Sequence, residues 1–329
     1  MPRVLVTPHI LYNTDGPFRD ALTSAGLEVV FPAGGLSLMD AVLLRSHLHE
    51  HRIDAVLAGM EPFDREVLEN SSLRVIARMG VGYDAIDVAT ATEQGVVVTI
   101  TPGTNEPSVA EHTLALLFGV MRGLPERARE VRGGHWLRQT LPRLAGKTLG
   151  IVGLGRIGKA LVPRARALGL ELIAYDPHVD PVLADELRVR LCNFDSLLTE
   201  SDIVSIHCPL TPDTRNLFDA EALAAMKVGA VLINTARGGI VDEEALADAL
   251  RRDHLLGAGF DVFEQEPLPL ESPLLQLDNI VLTPHVGGLD EQSQVDMSRL
   301  AAECIAELYQ GRWPEECVVN KELKASWHW

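Results

Sequence analysis

A chain of 329 residues is long enough to form two domains, each burying its own core. Its formal net charge of -17 repels phosphate backbones and anionic lipid surfaces, which argues against nucleic-acid or membrane-surface binding as a main activity. With 47% hydrophobic and 23% charged residues the composition is that of a globular protein.

Short apolar runs alternate with helical patterns almost from the start. "VLVTP" (4–8), "LEVVF" (27–31), "DAVLAG" (54–59), "LRVIARM" (73–79) and "VVVTI" (96–100) read as strands, with helical spacing between them. Strands that alternate with helices indicate βαβ units and a parallel sheet. A long helix is predicted over 107–123, with Pro107 suited to its first turn. From residue 148 the rhythm restarts, with strands at 148–153, 170–176, 202–208, 230–236, 257–263 and 279–285. A closing helix is predicted over 290–311, and the last ten residues, "NKELKASWHW", read as a loose end. The fold class is therefore α/β, with two doubly wound parallel-sheet domains facing a cleft suited to a small molecule.

"TLGIVGLGRIGKAL" carries Gly153-x-Gly155-x-x-Gly158 between a strand and a helix. Gly153 makes the tight turn, Gly155 lets a pyrophosphate approach the backbone, and Gly158 lets the helix pack closely on the strand. The unpaired N–H groups and positive dipole of the new helix favour that pyrophosphate. The next strand ends in "AYD", which places Asp176 where a carboxylate would hold the adenosine ribose hydroxyls. A carboxylate there favours NAD over NADP, because it repels a 2′-phosphate.

Three later stretches, "INTARGGIVDEEAL", "GAGFDVFEQEPLP" and "VLTPHVGG", place Arg237, Glu266 and His285 just past predicted strands. In an open parallel sheet those strand ends line the ligand crevice. Redox at a hydroxy acid needs a base that titrates near neutrality, a carboxylate to orient it, and an arginine fork for the substrate carboxylate. Taken singly each residue has a plainer reading. Arg237 would pair with Asp242 or Glu243, Glu266 would belong to a solvated acidic loop, and His285 would cap a turn.

The stretches "RMGVGYDAID", "TPGTNEPSVAEHTLAL", "GKTLGIVGLGRIGKAL", "LINTARGGIVDEEAL", "AGFDVFEQEPLP" and "LTPHVGG", spread over residues 78 to 288, resemble the D-isomer-specific 2-hydroxyacid dehydrogenase family. That group includes D-3-phosphoglycerate dehydrogenase, glyoxylate/hydroxypyruvate reductase and D-lactate dehydrogenase. The resemblance implies two flavodoxin/Rossmann-like domains with the active site in the cleft between them. A substrate domain would take 1–102 plus 292–329, and an NAD-binding Rossmann domain 103–291. It implies His285 as proton donor or acceptor paired with Glu266, and Arg237 on the substrate carboxylate. For NAD it implies Val81, Gly153, Gly155, Arg156, Ile157, Gly158, Asp176, Cys208, Pro209, Thr214, Thr235, Ala236, Asp261, Gly287 and Gly288. Gly80, Val81 and Gly82 would approach the substrate carboxylate through backbone N–H groups.

Members that act on phosphoglycerate often carry a basic residue in the loop after the third strand, where this chain has "AGMEPF" with Met60 and Glu61. The resemblance nevertheless leans to the phosphoglycerate dehydrogenase type, with 3-phosphoglycerate, hydroxypyruvate and glyoxylate as the substrate class. The end at residue 329 leads to the expectation that additional regulatory domains are absent. Glu266 speaks against formate dehydrogenases of this fold, which pair their histidine with Gln. The alternative function is an NAD-sensing corepressor-type binding protein without physiological turnover.

Other features lean to plain roles. Cys192, Cys208, Cys304 and Cys317 show no C-x-x-C pair and read as reduced thiols of a cytoplasmic protein. "HLHEH" places His47 and His51 at i,i+4 with no third ligand nearby, so no metal is expected. His112 is read as packing or capping. The 107–123 helix is too apolar for a solvent-exposed element, so it is expected to help bury a homodimer interface.

Overall fold

The computed structural model describes every residue except Leu137. The chain divides into two compact units, Met1–Asn105 with Asp290–Trp329, and Glu106–Leu289. The divisions fall between Asn105 and Glu106, where a helix begins, and between Leu289 and Asp290, the N-cap of the last long helix.

The first unit holds β1 (Arg3–Val6), β2 (Glu28–Val30), β3 (Ala55–Ala58), β4 (Val75–Arg78) and β5 (Val97–Thr99). They form an all-parallel sheet of order β2-β1-β3-β4-β5, the flavodoxin-like order. Successive side chains point to opposite faces. Val4, Val6, Ala55 and Leu57 therefore join Leu22, Met297, Ala301 and Ile305 of the helices Pro17–Ser24 and Glu291–Tyr309. Leu5 and Val56 join Leu44, Leu48, Val67 and Leu68 on the other face. Burial on both faces explains why these strands are continuously apolar in sequence.

The expected loose end is instead docked on this unit. Lys321–Ala325 form a 3-10 turn, and Trp327 Nε1 donates to the Gly95 carbonyl at 3.0 Å. The Arg74 guanidinium lies 5.6 Å from the Trp327 ring centroid, and buried Asn320 accepts from Val98 N–H and donates to the Val96 carbonyl. Aromatic burial outweighs the polar composition that suggested a free tail.

The second unit holds β6 (Thr148–Val152), β7 (Glu171–Tyr175), β8 (Arg190–Leu191), β9 (Ile203–Ile206), β10 (Ala230–Asn234), β11 (Leu255–Phe260) and β12 (Ile280–Leu282). All are parallel, in the order β12-β11-β10-β9-β6-β7-β8. The strand order reverses between β6 and β9, the switch point of a dinucleotide-binding sheet. The short edge strand β8 was not expected, because two half-polar residues leave no periodic signal.

The helix Glu106–Met121 lies against β10, β11 and β12 of its own unit. Its residues Ala110, Leu116, Leu117 and Met121 enter the core with Leu149, Ile151 and Val231. A Cβ on Gly119 would sit 3.3 Å from Val281, and one on Gly259 would sit 2.9 Å from Leu116. Much of the helix's apolar surface is thus buried inside its own unit. Among the described residues no helix is long and apolar enough to cross a membrane.

Candidate active site

Gly153 follows β6 at φ +93, where a Cβ would stand 2.6 Å from the Cys208 backbone nitrogen. A Cβ on Gly158 would stand 2.3 Å from the Gly153 carbonyl oxygen, so the helix Arg156–Ala167 packs tightly under the turn. At Gly155, the N-cap, a Cβ would meet nothing within 4 Å, which leaves room above the first helical turn of Arg156, Ile157 and Gly158. Asp176 follows β7 and accepts from Leu154 N–H at 2.8 Å and His178 N–H at 2.9 Å. Each of its oxygens keeps a lone pair for a further donor such as a ribose hydroxyl. Tight glycines below, open space above a helix N-terminus and a carboxylate on the next strand fit a dinucleotide.

Cys208 and Pro209 follow β9. Burial, aided by the nearby Asp176 carboxylate, pushes the Cys208 thiol up to about 11, so it stays neutral near pH 7. Thr214 donates to the Pro209 carbonyl at 2.7 Å and closes that loop. Thr235, buried after β10, lies 3.0 Å from Thr113 through their hydroxyls.

Three adjacent strands then carry the charged groups. Asn234 ends β10, and its side chain accepts from Ala236 N–H at 3.0 Å and donates to the Arg237 carbonyl at 2.8 Å. This shapes the turn that presents Arg237, whose Nη1 donates to the Ala236 carbonyl. Asp242 caps the helix Glu243–Arg251, and Glu243 accepts from Glu264 N–H. Beyond β11, Glu266 accepts from Phe263 N–H at 3.0 Å and lies 2.6 Å from His285 Nδ1. Burial pushes the Glu266 carboxyl up. The hydrogen bond and charge of His285, the Phe263 N–H and the Arg237 charge outweigh it and hold the group below the usual carboxylate range. An ionised carboxylate only accepts, so Nδ1 carries the proton of that bond.

His285 has φ +55, a left-handed conformation uncommon outside glycine, in which histidine is enriched. Such a residue costs of order 1–3 kcal/mol and persists where its surroundings hold it. The holder here is Asp261, directly after β11 and 1% exposed. Its carbonyl accepts from His285 N–H at 2.8 Å. Its carboxylate accepts from Thr283 Oγ1 at 2.6 Å, Val286 N–H at 2.9 Å and Gly287 N–H at 2.7 Å. Gly287 must be small, since a Cβ would stand 2.9 Å from Asp261 Oδ2; Gly288 continues the loop.

The residues from Gly153 to Gly288 implied by the resemblance thus all follow strand ends of the second sheet. Gly80, Val81 and Gly82 belong to the other unit, after β4, where Gly80 at φ +143 donates to Thr101 Oγ1 at 2.9 Å. Sequence reasoning did not find Asn234, Thr283 or His112. His112 Nε2 lies 2.9 Å from Thr283 Oγ1 and 3.3 Å from Asp261 Oδ1. A polar residue closing an apolar strand was the available signal for Asn234 and Thr283; no local signal marked the partners of His112. The His47 and His51 rings lie with centroids 4.2 Å apart, tilted 44° to one another. Among the described residues no group of three or more His, Cys, Asp or Glu could hold a metal ion.

The NAD binding domain model of the D-isomer specific 2-hydroxyacid dehydrogenases matches residues 114–287. The chain is 40% identical over 321 residues to D-3-phosphoglycerate dehydrogenase of Mycobacterium leprae, covering 95% of this chain and 56% of that protein. It is 41% identical over 270 residues to glyoxylate reductase of Korarchaeum cryptofilum, covering 80% of this chain and 81% of that one. The crystal structure of a glyoxylate reductase from Paecilomyes thermophila superposes with a TM-score of 0.85 at 30% identity, covering 98% of this chain and 99% of that one. The chain spans about half the length of several curated relatives it matches, including the first of these.

Proposed function

Because the chain belongs to the D-isomer specific 2-hydroxyacid dehydrogenase family, we propose that it interconverts a D-2-hydroxy acid and its 2-oxo acid with NAD. The observation that carries this reading is the Glu266–His285 pair at 2.6 Å, with Arg237 on the neighbouring strand end.

When bound, the nicotinamide ring of NAD accepts or returns the hydride. Nδ1–H of His285 is held by Glu266, so Nε2 is the atom that exchanges a proton with the substrate. In oxidation the neutral Nε2 takes the hydroxyl proton, and the imidazolium that forms is stabilised by the Glu266 carboxylate. In reduction the imidazolium returns that proton to the carbonyl oxygen. Arg237 supplies a planar fork for the substrate carboxylate and orients the carbon that reacts. The N–H groups of Gly80, Val81 and Gly82 are proposed as further donors to that carboxylate. The glycine turn with Arg156 and Ile157 would take the pyrophosphate. Asp176 would take the adenosine ribose, and Cys208, Pro209, Thr214, Thr235, Ala236, Asp261, Gly287 and Gly288 would line the rest of the cofactor site.

The test is turnover of glyoxylate, hydroxypyruvate, pyruvate and 3-phosphohydroxypyruvate with NADH, compared by kcat/KM. Binding of NADH without turnover of any 2-oxo acid would favour the corepressor-type alternative and overturn the enzyme reading. Asp176→Ala is expected to weaken NAD binding about tenfold and narrow the preference over NADP, because the ribose acceptor and the charge that repels a 2′-phosphate go together. Unchanged NAD and NADP dissociation constants in this variant would contradict the assignment.

A homodimer is part of the proposal. Its support is the helix Leu124–Arg132, which has no buried residue, with Leu124, Val131 and the following Trp136 more than half exposed. Light scattering at micromolar concentration should give twice the chain mass of 35.8 kDa; a monomer would end this part of the reading.

A further inference from the structure

We propose that His112 is a positioning residue for proton transfer at His285, acting through the buried Thr283–Asp261 pair that fixes the 283–287 loop. This rests on the reading of His285 as the acid–base group.

The donors and acceptors allow one arrangement. Asp261 accepts only, so the single Thr283 hydroxyl hydrogen is committed to it at 2.6 Å. The hydroxyl oxygen is then an acceptor for His112 Nε2 at 2.9 Å, which must carry a hydrogen. The chain runs from His112 to Thr283 to Asp261, and such chains strengthen each member in a low-dielectric interior. Nε2 also stands 3.3 Å from Asp261 Oδ1. Burial pushes the Asp261 carboxyl up, and the hydrogen bonds from His112, Thr283, Val286 and Gly287 overcome it, holding the group ionised as an acceptor.

Asp261 grips the loop on both sides of His285. Its carbonyl takes His285 N–H, and its carboxylate takes Val286 N–H and Gly287 N–H. The same histidine walls the far end of the loop, since a Cβ on Gly287 would lie 3.4 Å from His112 Cδ2. His112 sits on the helix Glu106–Met121, whose apolar residues anchor it in the core of this unit. It therefore links a rigid helix to the segment holding His285 in its left-handed conformation, with the ring against Glu266.

The experiment compares His112→Ala and His112→Gln, because the glutamine amide can place an N–H near the position of Nε2. With NADH and the best 2-oxo acid, kcat of the Ala variant is expected to fall about 10- to 100-fold, the scale of a small misplacement of a reacting group. Both KM values should stay within about threefold, and Gln should recover kcat to within about fivefold of wild type. In the free protein, exchange of the Val286 and Gly287 amides should quicken about tenfold in the Ala variant and recover in the Gln variant, with β6 and β7 amides unchanged. Unchanged exchange at 286–287, kcat within about twofold of wild type, or a protein-wide loss of protection that Gln does not restore would each overturn the proposal. A wild-type protein that reduces no 2-oxo acid would refute the enzymatic reading, and the exchange arm would still judge the His112 linkage.

Discussion

Replacing His285 with alanine is expected to lower kcat by about 10²- to 10⁴-fold, the usual contribution of a positioned acid–base group. The dissociation constant for NAD should stay within about twofold, because the glycine turn and Asp176 are held by contacts that do not involve this ring. The loss belongs in kcat because the ring acts on the proton that moves. Glu266→Gln is expected to fall between wild type and the alanine variant. It keeps an acceptor for Nδ1–H but removes the negative charge that stabilises the imidazolium. Steady-state rates followed by NADH absorbance, together with NAD titration of each variant, check both parts. A His285 variant with near-normal kcat would remove the acid–base role from this residue.

Gly238→Ala should be the most damaging small change to the fold around the site. An ideal Cβ at this position would lie 1.8 Å from the Phe263 carbonyl carbon and 2.2 Å from the Glu264 nitrogen. Those are backbone atoms, so no side-chain rotation relieves the clash, and either the turn after Arg237 or the segment leading to Glu266 must move. Overpacking commonly costs about 1–3 kcal/mol where side chains can yield; here the cost should exceed about 3 kcal/mol. The displaced parts bear Arg237 and Glu266, so kcat/KM should fall together with stability. Denaturant unfolding at fixed protein concentration reads the first effect, and a midpoint equal to wild type would contradict it.

The two-sheet architecture was legible because each central strand is apolar on both faces and is followed by a helical stretch. Asp176 was legible because it stands one strand beyond a glycine turn, a spacing set by the length of a βαβ unit. Strand ends also announced Arg237, Glu266 and His285 as groups on one edge of a parallel sheet. Three features resisted. Strand β8 is too short to carry a period. The polar tail conceals Trp327, which packs against Gly95 and Arg74. The helix Glu106–Met121 shows its apolar character in sequence but not which surface it covers.

By itself the sequence determined the family, the α/β class and the strand ends on which the chemistry would sit. These follow from local patterns, in which burial repeats every two or 3.6 residues and a glycine turn needs only its neighbours. Only the tertiary structure decided that Glu266 meets His285 Nδ1, that Gly238 lies against the backbone of Phe263, and that His112 reaches Thr283 across 171 residues of chain. Those contacts depend on the register of β10, β11 and β12 and on how one helix packs over them. Register and packing are set by the whole core at once, and no stretch of sequence a few residues long contains them.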